Sequence, residues 1–77
     1  MKRAIKVTKI TIGPIEKDET YLFNWFTEER MKYGIQLVDI SVPRKDVFYF
    51  LVKGKKEDVL HLLQRLITNF YPMYIIE

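Results

Sequence analysis

Apolar residues along this chain follow two periods, and the switches between them mark six elements. Residues 2–12 alternate as a strand does, but the parity changes partway. Ile5 and Val7 belong to one set, Ile10 and Ile12 to the other. A bulge near Thr8-Lys9 or burial on both faces accounts for such a change. Gly13-Pro14 ends the strand. Residues 18–33 carry the helical period, with Asp18 as N-cap, Glu19 in the first turn and Gly34 as the left-handed stop. Leu22, Trp25, Phe26 and Tyr33 share one side of this helix. Tyr21 and Phe23 widen the apolar arc to roughly 200°. Glu29 falls inside that arc, which predicts a lysine partner at the sheet edge or a place in an interface.

Residues 35–42 form the second strand, with Val38, Ile40 and Val42 on one face, Asp39 and Ser41 on the other, and Gln36 as a polar exception. A turn at residues 43–46 leads directly into the third strand, so the two form a hairpin. That third strand is apolar at both parities: Val47, Tyr49 and Leu51 on one side, Phe48, Phe50 and Val52 on the other. Residues 55–70 form the clearest helix. Val59, Leu60, Leu63, Leu66, Ile67 and Phe70 recur at helical spacing, with Gly54 as N-cap and Pro72 as the stop. Residues 73–76 close the chain as a short strand.

The order strand, helix, strand, strand, helix, strand predicts an α+β, two-layer ferredoxin-like sandwich. In it, a four-stranded antiparallel sheet carries both helices on one face, with strands one and three central. Seventy-seven residues make one domain, 1–77. Two layers cover only one face of a sheet. The doubly apolar third strand therefore predicts that Val47, Tyr49 and Leu51 meet something else. Self-association is the leading expectation, and it suits a domain small enough to gain from it. Trp25, on the wide aromatic arc of the first helix, is a second candidate contact.

Charge and composition narrow the chemistry. The chain is 48% hydrophobic and 30% charged, which places it among folded globular proteins. Without cysteine it has no disulfide framework and no thiolate chemistry. No stretch reads as a signal peptide or a bilayer span, so the expected location is cytoplasmic. Abundant Lys, Glu and Ile with scarce Asn and Gln lean towards a thermophilic source. His61, the only histidine, has no second ligand one turn away, and Ser41, the only serine, has no histidine near it in sequence. The three glycines sit at element boundaries and form no phosphate cradle. The expectation is a protein that is not an enzyme, with no cofactor and no metal site.

The net charge of +3 permits a nucleic-acid partner without requiring one. Lys2, Arg3, Lys6 and Lys9 run along strand one, Arg44 and Lys45 sit at the hairpin turn, and Lys53, Lys55 and Lys56 surround the start of the second helix. Lys6, Lys9, Lys53, Lys55 and Lys56 are the candidate anion or nucleic-acid contacts. The segment Lys45-Asp46-Val47-Phe48-Tyr49-Phe50-Leu51-Val52 resembles the strand-three signature of the RNA-recognition motif at Lys45 and Tyr49. Asp46 stands where glycine is usual, and strand one has no aromatic. Tyr33-Gly34-Ile35-Gln36-Leu37-Val38-Asp39-Ile40 resembles the Gly-Ile segment after the first helix of ACT-like regulatory domains. That resemblance implies oligomerisation and a small effector, often an amino acid, bound near the loop after strand one, here Gly13, Pro14 and Ile15.

Overall fold

The computed structural model describes residues 5–77. Lys2 and Arg3, the first two members of the basic strand-one group, lie outside the described residues. The elements are β1 (Ile5–Ile12), α1 (Glu19–Lys32), β2 (Gln36–Arg44), β3 (Val47–Lys55), α2 (Lys56–Phe70) and β4 (Ile75–Ile76). All four strands join one antiparallel sheet in the order β2-β3-β1-β4. The chain is thus an α+β domain with a four-stranded sheet and two helices.

Helix α1 starts where Asp18 accepts a hydrogen bond from the amide of Tyr21 at 3.4 Å. It ends in a Schellman motif. Gly34 sits at φ 68°, its N–H donates to Met31 O, and the Ile35 N–H donates to Arg30 O. Helix α2 follows β3 without a loop. Its N-cap is Lys55, which makes no side-chain cap bond, and not Gly54 as expected. Gly54 instead belongs to β3, opposite Lys6, where Ile35 lies close above it. A Cβ added there would meet the Ile35 side chain at 3.1 Å. Tyr71, in the left-handed region at φ 47°, ends α2 just before Pro72.

The core lies between the sheet and the helices. Ile10 and Ile12 of β1, and Phe48, Phe50 and Val52 of β3, are buried against Leu22 and Phe26 of α1 and Val59, Leu62, Leu63, Leu66 and Phe70 of α2. Phe26 stacks on Phe50 with ring centroids 4.0 Å apart, and Phe23 meets Phe48 and Phe50 edge-on.

Neither expected cause of the parity change in β1, a bulge or burial on both faces, is found. The register of β1 against β3 runs unbroken from Ile5↔Lys55 to Ile12↔Phe48. The parity change is therefore real, and Ile5 and Val7 point away from the helices, 59% and 58% exposed. The irregularities fall in β2 instead. Leu37 pairs with Val52 and Asp39 with Leu51, leaving Val38 as the extra residue, and a second shift lies between Ser41 and Arg44. The expected inward set Val38, Ile40, Val42 is corrected accordingly. Leu37 and Ile40 pack on the core, while Val38 and Val42 are exposed. Pro43 falls within the second irregularity of this edge strand, where a missing N–H costs no ladder bond.

This register makes a stability contrast that alternation alone would reverse. Leu37→Ala is expected to cost about 1–2 kcal/mol and Val38→Ala within about 0.5 kcal/mol in urea denaturation. The opposite ranking would return the strand to simple alternation.

Candidate functional site

The sheet face away from the helices is the main uncovered surface among the described residues. Alternation along paired strands places Ile5, Val7, Lys9 and Thr11 of β1 there. Val47, Tyr49, Leu51, Lys53 and Lys55 of β3 share that face. Gln36, Asp39, Ser41 and Arg44 of β2 and Ile76 of β4 share it too. Cross-strand rows give it a grid. Asp39, Leu51 and Lys9 form one row, and Ser41, Tyr49, Thr11 and Ile76 the next.

Tyr49 and Leu51 lie at the centre of this grid and Val47 at its end beside the hairpin turn, and all three are only partly exposed. The more open apolar groups are Ile5, Val7 and Ile76, at 58–59%. Sequence reasoning missed these three as surface residues. For Ile5 and Val7 the signal was present in the parity change of β1, which was ascribed to a bulge or to burial on both faces. Trp25 lies in the other layer. Its ring meets Phe70 of α2 edge-on at 5.1 Å, so it does not join Val47, Tyr49 and Leu51 on one surface. It lines a shallow 240 Å³ depression with Tyr21, Asn24 and Glu28.

The lysines divide between the two layers. Lys9, Lys53 and Lys55 belong to the open face. Lys6 has the opposite parity and borders a small hollow with Lys56 beside α2. The loop after β1 is held by the C-terminal segment. Gly13 N–H donates to Tyr74 O at 3.0 Å, Met73 N–H to Pro14 O at 2.9 Å, and Glu16 N–H to Phe70 O at 3.2 Å. The Tyr74 ring occupies the space that a Cβ on Gly13 would take. Gly13 is buried, Pro14 exposed, and Ile15 packs against the core.

Glu29 is the buried charge, 4% exposed. Its partners are on the helices and not at the sheet edge as expected. Arg65 of α2 donates Nε–H to one carboxylate oxygen, and Lys32 lies 3.2 Å from the other. Burial raises the pKa of this carboxyl. Hydrogen bonds and positive charge from Arg65 and Lys32 outweigh that, so it is held below its ordinary value. The pair bridges the two helices. His61 is exposed beside Tyr33, with ring centroids 6.1 Å apart. Among the described residues no group of His, Cys, Asp or Glu is arranged to hold a metal ion. Among them also, no helix is long and apolar enough to cross a membrane.

No protein family, curated protein or solved structure matches this chain.

The Glu29 bridge sets a pH dependence. A carboxyl whose folded pKa is lowered contributes its full stability above the ordinary value of 4.5 and loses it as pH falls through the folded value. Glu29→Gln is expected to cost about 1–2 kcal/mol at neutral pH, since both partners are half exposed or more. Urea melts across pH should show the gap between wild type and variant closing below 4.5. A gap that persists in acid would assign the effect to packing.

Proposed function

We propose that this chain is a small non-enzymatic domain of ferredoxin-like fold that works by associating with a second copy of itself through the open face of its sheet. The strand order β2-β3-β1-β4 and the helices between β1 and β2 and between β3 and β4 support the ferredoxin-like reading.

One observation carries the choice of partner. The row Asp39, Leu51, Lys9 has an acid on one side, an apolar residue on the central strand and a base on the other side. Two such faces brought together about a two-fold axis along β3 set Leu51 on Leu51, and Lys9 of each copy against Asp39 of the other. This row is self-complementary in charge, as an isologous interface requires. Tyr49, Val47 and Ile76 extend the apolar area. Lys53 and Lys55 fall towards one end of β3, where long side chains reach solvent at the rim.

A regulatory role with a small effector draws only on the ACT-like resemblance at Tyr33–Ile40. At Gly13 and Pro14 backbone groups are already engaged by the C-terminal segment. A second reading, single-stranded nucleic acid on the same face, draws on Lys9, Lys53 and Lys55 sharing that face with Tyr49. It predicts affinity that falls steeply with salt.

Sedimentation velocity over a concentration series tests the leading reading. The wild-type protein is expected to dimerise at micromolar concentration. Leu51→Lys should give a folded monomer, and so should Lys9→Asp. Adding Asp39→Lys to Lys9→Asp should restore the dimer. A wild-type protein monomeric throughout, or no rescue by the exchanged pair, would overturn this interface.

A further inference from the structure

We propose that the free edge of β1 is a docking site for an extended acidic peptide segment, which adds to the sheet as a strand alongside the flank of α2. Strand β4 pairs with β1 only at Thr11 and Ile12. Among the described residues, nothing pairs with that edge of β1 from Ile5 to Ile10. The direction of its backbone groups follows from the one neighbouring bond. Gly13 N–H donates towards the β4 side, to Tyr74 O. In an antiparallel ladder both groups of every second residue point the same way. The N–H and C=O of Ile5, Val7 and Lys9 therefore face the free edge. A strand continuing the line of β4 would take up all of them, as in β-strand addition.

The walls of this edge specify the guest. On the helix side, a groove of 330 Å³ runs along α2 between Leu60, Leu63, Ile67 and Ile75. Leu60 and Ile67 are 41% and 43% exposed along it. At Leu60 and Glu77 it meets a smaller hollow of 60 Å³ bordered by Lys6, Thr8, Lys56 and Val59. Side chains of an added strand alternate between this groove and the open face. Those entering the groove meet apolar carbon, Gln64, Glu77 and two lysines, and those on the open face meet Val7 and Lys9. Glu77, one residue past β4, already borders the hollow with Lys6 and Lys56. That is the position an acidic guest residue would continue from.

A second copy of β1 on this edge would bring Lys6 and Lys9 of both strands together. Lysines on an edge strand guard against that pairing. An acidic guest turns the same charges from repulsion to attraction.

The probe is a fluorescent peptide of alternating Val and Glu, with its Lys-for-Glu counterpart as control. Anisotropy titrations at low salt are expected to show saturable binding of the acidic peptide, at least tenfold tighter than the basic one. Hydrogen exchange of the Ile5, Val7 and Lys9 amides should slow on binding. Lys6→Glu combined with Lys56→Glu should weaken binding at least tenfold with the melting temperature retained. Val7→Pro should block it, because that N–H points away from β3. The charge-reversed variant decides the matter if the proline variant does not fold. Leu51→Lys should leave binding intact, which separates this edge from the open face. Equal binding of the two peptides, no binding, or protection that maps to other strands would overturn the proposal. So would protection of these three amides that grows with protein concentration alone.

Discussion

The unbroken ladder between β1 and β3 is the constraint on which the rest depends. Eight consecutive residues of β1 stay in register with β3. That register sends Ile10 and Ile12 into the core beside Phe50 and Phe48. It also turns Ile5 and Val7 outward, because a strand without a bulge cannot send both sets the same way. The same ladder puts Lys9 beside Leu51 on the open face. A bulge at Thr8-Lys9 would have buried Ile5 and Val7, thrown Lys9 to another place, and removed both the charged row and the alternating free edge.

Much of the architecture was legible because several local signals agree. Asp18 and Gly34 bracket α1 by mechanisms that act within one turn, and the structure uses both. The two parities of β3 separate cleanly, with Phe48, Phe50 and Val52 inside. Failures occurred where two arrangements share one pattern. A change of parity reads equally as a bulge or as two exposed apolar residues, and in β1 it is the second. In β2 the pattern looked regular and the bulge was real. Val38 invited burial by its type, but the ladder with β3 selects Leu37. Register is a property of two strands, and one strand's sequence does not contain it.

The candidate surfaces show the same division. The position of Glu29 within the aromatic arc was visible, and its partner was not. Arg65 is far away in sequence and reaches it only because α1 and α2 lie side by side. The wide arc itself has two uses. Leu22 and Phe26 are fully buried, whereas Trp25 and Tyr21 lie edge-on to Phe70 of the other helix. An apolar arc wider than one stripe is here an interhelical seam, which leaves Trp25 less free as an external contact than its type suggests.

Charge on β1 then decides how its two uncovered surfaces behave. A small sheet with one bare face and one half-bare edge is prone to uncontrolled pairing, since both backbone and apolar groups are available. Alternation distributes the basic residues over both: Lys9 stands on the face and Lys6 turns to the helix side. On the face, Asp39 two strands away supplies the opposite charge, so two copies can satisfy each other. Along the edge, Lys6 and Lys56 border the hollow with only Glu77 as an acid beside them. The same strand is therefore self-complementary across its face and self-repelling along its edge. That asymmetry is what distinguishes the proposed surface for a second copy from the proposed edge for an acidic partner.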